Sequence, residues 1–217
     1  DYRKGCPQMD FVAARKVMVD SQVRVNDVTD RALQAALLVV PRELFCAPDR
    51  AFAAYAEVSP EITGERRLMA ARDVAKLLQA TEAREGERAL AIAAPYAAAV
   101  LARMGLEVTA QEADQAVFDV AGAALADEGV ETIVAPLDQP QGEGWDLIVC
   151  EAGVARRPEA WLTALRPGGR LAVVERTGPV GKAALYVRGR EGASRRELFD
   201  SSPTVLAELT PAPTFAP

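Results

Sequence analysis

Between residues 9 and 23 the apolar side chains Phe11, Val12, Met18 and Val19 return at roughly helical spacing. A second helix follows through Leu33, Leu37 and Leu38, with Thr29 or Asp30 as its cap and Pro41 as its stop. A connection bearing Phe45, Phe52 and Tyr55 runs from Pro41 to Pro60, and residues 70–80 are helical again, with Val74, Leu77 and Leu78 on one face. Up to this point the pattern predicts only helix and loop. From Ala89 the period changes, because the short apolar runs 89–94, 107–110, 132–135, 146–150 and 170–174 alternate with helical stretches over 96–104, 114–127 and 158–165. Such alternation predicts parallel strands joined by right-handed crossover helices. Pro167-Gly168-Gly169 marks a sharp turn into the fifth strand, and the runs 183–187 and 195–199, separated by Gly189 and Gly192, read as a closing antiparallel hairpin. The expected fold is α/β: a doubly wound, mostly parallel seven-stranded sheet with an N-terminal helical extension and a C-terminal antiparallel hairpin. Residues 9–217 are expected to form one domain, helical over 9–82 and α/β over 83–217, after an aperiodic tag or disordered start over 1–8.

The chain has 217 residues, half of them hydrophobic and about a quarter charged, which is enough for one sizeable core. Its net charge of −6 and the wide separation of Arg66-Arg67, Arg156-Arg157 and Arg195-Arg196 argue against a nucleic-acid partner. The uncharged apolar run 35–40 is far too short to span a bilayer, and no apolar signal core opens the chain, so no membrane partner and a cytoplasmic location are expected. Cys6, Cys46 and Cys150 have no paired spacing and fit reduced thiols; with no histidine in the chain, a zinc or other metal site is not expected.

In an open parallel sheet ligands bind beyond the carboxyl ends of the strands, which leaves four candidate places. The first is the turn from Ala93 to Tyr96, where Ala93, Ala94 and Pro95 stand in place of the glycines that permit φ > 0 and close backbone approach. The second is Glu112, just past the second strand and nineteen positions after Ala93. An acid there either accepts hydrogen bonds from ribose hydroxyls or is a solvated loop carboxylate like Glu107 and Asp114. The third is Ala135-Pro136-Leu137-Asp138, where an adenine ring would lie in such a fold, although Asp138 also reads as a turn residue before Pro140. The fourth is Glu151-Ala-Gly153, whose acid is either a pocket carboxylate or simply an acid preceding a helix. Cys150 reads as a small buried hydrophobe. The absence of histidine excludes Ser-His-Asp and Cys-His mechanisms. Methyl transfer from a sulfonium to an ionised carboxylate needs no external base, only in-line positioning.

Several words of the chain then become familiar. Met18-Val-Asp-Ser-Gln-Val-Arg24, Val28-Thr-Asp30 and Val40-Pro-Arg-Glu-Leu-Phe45, with Trp145-Asp-Leu-Ile-Val-Cys-Glu-Ala-Gly-Val154 and Leu165-Arg-Pro-Gly-Gly-Arg-Leu-Ala-Val-Val174, resemble the protein-L-isoaspartate O-methyltransferases from about Met9 onward. The resemblance implies a Rossmann-like methyltransferase that moves a methyl group from S-adenosylmethionine to an isoaspartyl or related carboxylate of a protein, peptide or small molecule. It implies Ala93 in the cofactor loop, Tyr96 beside the methionine moiety and Glu112 on the ribose, and it assigns no catalytic residue and no metal. The departures are as informative. Where that family reads Glu-x-Gly-x-Gly-x-Gly-Tyr, the chain reads Ala91-Ile-Ala-Ala-Pro-Tyr96, two residues shorter; where it reads Gly-Asp-Gly, the chain has Ala135-Pro136-Leu137. The substrate-loop pattern Gly-Gln-Thr-Ile-Ser-Gln-Pro is matched by Gly64-Glu-Arg-Arg-Leu-Met-Ala70, with neither Thr nor Ser. Gly64, Tyr96 and Glu112 survive.

Two readings follow. One is an active methyltransferase; the other is a non-catalytic relative that kept the scaffold and serves as a binding or assembly module. The second predicts that Ala93, Ala94 and Pro95 fill the space above the first strand, whereas the first predicts an open cleft of a few hundred cubic ångströms reaching Glu112. A monomer or a homodimer is expected, the dimer through the apolar face of Phe11, Met18 and Val19 if that face does not pack on the protein's own sheet.

Overall fold

The computed structural model describes residues 9–210; the start over 1–8 lies outside the described residues. Helix α1 (Phe11–Met18) begins where the Asp10 carboxylate accepts from the Ala13 N–H at 3.0 Å, and after Met18 the same rod continues as a π-helical turn over Val19–Val23. The 9–23 pattern therefore gives the extent of the helix but not its change of winding. Asp30, rather than Thr29, caps α2 (Arg31–Val39) by accepting from Leu33 N–H at 3.0 Å. Val40 is extended ahead of Pro41, as a residue preceding proline prefers, and the helix ends there. The following connection holds an unpredicted feature: β1 (Glu61–Thr63) and β2 (Arg66–Arg67) form a small antiparallel hairpin that turns at Gly64, φ +55°. Two and three residues are too few to print an alternating pattern. Helix α3 (Ala71–Ala80) completes the N-terminal part.

The α/β part runs β3 (Arg88–Ile92), α4 (Pro95–Arg103), β4 (Glu107–Glu112), α5 (Gln115–Asp127), β5 (Glu131–Val134), β6 (Trp145–Val154), α6 (Glu159–Ala164), β7 (Leu165–Glu175), β8 (Gly181–Arg188) and β9 (Ala193–Ser201). The seven strands lie in the order β5-β4-β3-β6-β7-β8-β9, with β5 through β7 parallel and β8 and β9 antiparallel. The sheet is therefore doubly wound, with its switch point between β3 and β6. Both strands there are covered on both faces, which is why they read as continuous apolar runs. Successive residues alternate between two cores. Ala89, Ala91, Leu147 and Val149 pack with the N-terminal helices, α4 and α5. Leu90, Ile92, Ile148 and Cys150 pack on the other side with Trp161 of α6, Leu137 and the C-terminal Leu206 and Leu209.

Two expectations change here, and one alternative is decided. Strand β6 runs four residues past Cys150, because Gly153 and Val154 pair with Val174 and Glu175 beyond an irregularity. The Pro167-Gly168-Gly169 turn is absorbed into β7 as an irregular start, with Gly168 at φ +81°. Met18 and Val19 are wholly buried in the main core and Phe11 packs against it, so these three residues pack inside the protein, the alternative to a dimer face.

Gln111 ties the sheet to the loop after β5. Its amide N–H groups donate to the carbonyls of Pro136 (2.7 Å) and Gln139 (3.0 Å), and its oxygen accepts from Gln141 N–H (2.9 Å). Gln111→Ala breaks all three bonds, each worth about 1 kcal/mol, so a loss of about 2–3 kcal/mol in urea denaturation is expected together with faster hydrogen exchange at the Gln141 amide. Unchanged exchange at Gln141 would show that the loop does not depend on this side chain.

Candidate functional site

The carboxyl ends of β3, β4 and β6 form a crevice at the switch point. Its floor is the β3–α4 turn. Ala93 adopts φ +50°, a left-handed conformation that costs a non-glycine residue about 1–2 kcal/mol, and is held there by its N–H donating to Gln111 O at 3.0 Å. Pro95 occupies the first position of α4, where its fixed φ suits a helix start and its lack of N–H leaves no orphan. Ala93, Ala94, Pro95, Tyr96 and Ala97 are all buried.

A helix N-terminus attracts negative charge, and that of α4 has already received it. The Ala97 N–H donates to Glu151 Oε1 at 2.5 Å, from β6 across the switch point. Glu151 is thus neither an exposed acid nor one preceding a helix; it is 2% exposed within a strand. Burial pushes its carboxyl above the ordinary value, opposed by the Ala97 N–H, Arg42, Arg66 and the Met69 N–H. Its Oε2 has no hydrogen-bond partner among the described residues, nor do the neighbouring buried Tyr96 hydroxyl and Arg42 Nη1. Tyr96 packs edge-on against Phe45 (5.5 Å between centroids) under the Arg42 guanidinium (4.8 Å), and burial pushes its phenol up to about 12. Arg42, the arginine of the Val-Pro-Arg word, donates to the carbonyls of Ala54 (2.8 Å) and Met69 (2.5 Å) and serves as an internal clamp. Cys150 is buried, its thiol pushed up to about 12 by desolvation, which fits a packed hydrophobe.

Glu112 departs from the solvated-loop alternative: it is the last residue of β4 and 1% exposed. Both its oxygens are taken by Arg66 of β2, Nη2 to Oε1 at 2.7 Å and Nε to Oε2 at 3.1 Å, the two-pronged geometry in which guanidinium and carboxylate match best. Burial raises the Glu112 carboxyl, with the exposed Glu208 adding to the rise, while Arg66 draws it back. Arg66 stands where the resembling family has Thr, so its reach across the crevice was readable only as an odd residue in the substrate loop.

The C-terminal segment forms the outer wall. Gly153 N–H donates to Thr204 O (2.9 Å), Val205 makes a parallel bridge with Gly153, and Ala155 N–H donates to Leu209 O (3.1 Å). A Cβ on Gly153 would lie 2.9 Å from Val205 Cγ2 and 3.2 Å from Pro203 O, so only glycine admits the segment. Leu206 and Leu209 point inward and are buried. A cavity of about 200 Å³, bordered by Gly64, Arg66, Glu112, Leu137 and Leu206, lies to one side; another of about 310 Å³, bordered by Arg156, Pro158, Trp161 and Leu209, lies to the other. The cleft expectation is thus met at Glu112 but not above β3: the smaller cavity touches neither Ala93 nor Tyr96. Asp138 lines the larger cavity, while the loop before it turns inward through Leu137, whose carbonyl accepts from Trp161 Nε1 at 2.8 Å. Of the three residues expected at the cofactor, Ala93 and Tyr96 are sealed in the core and Glu112 is salt-bridged. Among the described residues no group of three or more acids and cysteines is arranged to hold a metal, and no helix is long and apolar enough to cross a membrane.

A seven-stranded doubly wound sheet with two closing antiparallel strands and a crevice at this switch point is the Rossmann-like methyltransferase architecture. The protein-L-isoaspartate(D-aspartate) O-methyltransferase family profile matches residues 14–190. A protein-L-isoaspartate O-methyltransferase of Methylorubrum extorquens is 34% identical over 209 residues, covering 94% of this chain and 91% of its own. One from Rhodopseudomonas palustris is 36% identical over 168 residues, covering 74% and 69%. Two solved structures share the fold. A Plasmodium falciparum protein described as a beta-aspartate methyltransferase in complex with S-adenosyl-L-homocysteine aligns at TM-score 0.74 and 15% identity, covering 93% of this chain and 100% of its own. A further protein-L-isoaspartate O-methyltransferase aligns at 0.72 and 19%, covering 91% and 66%. The chain belongs to the protein-L-isoaspartate O-methyltransferase family.

Proposed function

We propose that this protein is a non-catalytic member of its family, a binding or assembly module that keeps the methyltransferase scaffold with its cofactor crevice closed by its own side chains. The observation that carries the reading is the Arg66–Glu112 pair: the acid expected to meet a ribose spends both oxygens on a guanidinium from the substrate hairpin. Glu151 fills the complementary position at the α4 N-terminus. The residues present therefore do not fit S-adenosylmethionine. The same reading takes residues 9–217 as one domain working in the cytoplasm, with Cys46 and Cys150 as buried free thiols.

The active reading keeps one specific support, the cavity of about 200 Å³ that reaches Glu112. Isothermal titration separates the two. With S-adenosylmethionine or S-adenosylhomocysteine, no binding heat is expected up to about 1 mM ligand, which places any affinity below about 4 kcal/mol. Micromolar binding of either compound overturns the non-catalytic reading.

A further inference from the structure

Three polar atoms in the closed crevice are buried without a hydrogen-bond partner among the described residues: Arg42 Nη1, the Tyr96 hydroxyl and Glu151 Oε2. They belong to three separate elements, the turn over Arg42–Phe45, α4 and β6. Their side chains nevertheless converge. The Arg42 guanidinium lies 4.8 Å from the centre of the Tyr96 ring, and Met69 bonds both charged groups, its carbonyl accepting from Arg42 Nη2 at 2.5 Å and its N–H donating to Glu151. The charges of Arg42 and Glu151 both act on the Tyr96 phenol, in opposite directions. Yet none of the three atoms bonds another. Buried polar groups in folded proteins are paired almost without exception, with protein or with ordered water, and a polar contact too long to be direct is the usual place for a bridging water.

We infer that Arg42 Nη1, the Tyr96 hydroxyl and Glu151 Oε2 form a binding site for one internal water molecule, which accepts from Arg42, donates to Glu151 and bonds the Tyr96 hydroxyl. The three groups suit a ligand that both gives and takes hydrogen bonds, since a guanidinium only donates, a carboxylate only accepts and a phenol does either. Internal waters make about three such bonds, and three are on offer. Charge argues for a neutral occupant. The site holds one guanidinium and one carboxylate, and the nearby Arg66 is spent on Glu112, so a cation meets Arg42 and an anion meets Glu151. Size argues the same way, because a space bordered by Met69 and Glu151 is only about 10 Å³, roughly the least that holds a water. The site rests on the closed-crevice reading and completes it, with one water joining the Val-Pro-Arg turn to the start of α4 and to β6.

The test is a crystal structure of the full, unsubstituted chain at a resolution that shows ordered water, from crystals grown with bromide in place of chloride. One peak without anomalous signal is expected at about 2.7–3.2 Å from Arg42 Nη1, the Tyr96 oxygen and Glu151 Oε2. The proposal is overturned if the three groups bond one another directly, if the peak misses Arg42 or Glu151, or if it carries the bromide signal or the short contacts of a metal cation. Magnetic relaxation dispersion of the solvent oxygen gives the second reading, in solution. Tyr96→Phe deletes a single oxygen and leaves the water two partners, so its residence time is expected to shorten by about fivefold, what one hydrogen bond is worth. An unchanged residence time overturns the three-partner site. Titrating S-adenosylhomocysteine into the unsubstituted protein is an independent arm: its binding defeats the non-catalytic reading, while the crystal peak decides the water on its own.

Discussion

Arg66→Ala is expected to cost about 3–5 kcal/mol of folding stability, the usual penalty for leaving a buried charge without its partner. Glu112 is 1% exposed at its side chain and Arg66 13%, so solvent screens the pair little. With the guanidinium gone, only burial and Glu208 act on the Glu112 carboxyl, and both push its pKa up. A carboxyl whose folded pKa exceeds its unfolded one favours folding below the unfolded value, and that advantage is lost as pH rises through the folded value. The loss in Arg66→Ala is therefore expected to be larger at pH 8 than at pH 5. The double variant Arg66→Leu with Glu112→Leu removes both charges at once and is expected to lie far closer to the unsubstituted protein, since apolar replacement of a buried pair is often neutral or better. Urea denaturation of the three proteins at both pH values decides the matter. A single-variant loss below about 1 kcal/mol would match an exposed ion pair and would remove the main support for a closed crevice.

The parts of the molecule legible in the sequence are those whose physics is local. β3 and β6 show themselves because strands covered on both faces must be apolar throughout. α2 shows itself because Asp30 and Pro41 punctuate it. The crevice is different, since each of its decisive contacts joins distant residues: Arg66 to Glu112 across 46 positions, Ala97 to Glu151 across 54, and Gly153 to the segment beginning at Pro203. Glu151 illustrates the difficulty. Its burial depends on β6 continuing past Cys150, and that depends on pairing with the far end of β7. The glycine-free turn was visible as a departure, but not what had taken the ligand's place. Only the substitution of Arg66 for the Thr of the resembling pattern pointed there, and an arginine in a loop is ordinarily a solvated one.

Glu151→Gln is expected to make the protein more stable at pH 8. In the unsubstituted protein one carboxylate oxygen accepts from Ala97 N–H at 2.5 Å and the other is buried without a partner among the described residues. An amide keeps the acceptor for Ala97 and removes the charge. Arg42, Arg66, Tyr96 and Cys150 surround the group, and together with the Ala97 and Met69 N–H groups the two arginines do not offset its burial, so its pKa lies above the ordinary 4.5. The sign follows directly. The native state holds this proton to higher pH than the unfolded chain does, so the stability it contributes is complete below about 4.5 and disappears as pH rises through the folded pKa. Across that window the unsubstituted protein loses stability at up to about 1.4 kcal/mol per pH unit on account of this one group. Glu151→Gln lacks that component, while Glu112 titrates alike in both proteins and cancels in the difference. The two stability curves should therefore converge near pH 4.5 and separate above it, with the glutamine variant higher. Glu151→Ala behaves oppositely, because it orphans the Ala97 N–H and opens a void, at a cost of about 1–3 kcal/mol for the unsatisfied donor alone. A glutamine variant less stable than the unsubstituted protein at pH 8 would mean that the α4 N-terminus gains more from a full negative charge than burial takes away. The same end of α4 would then be strong enough to hold an anionic group of a ligand once Glu151 swung aside, and the self-closed crevice would become a switchable one.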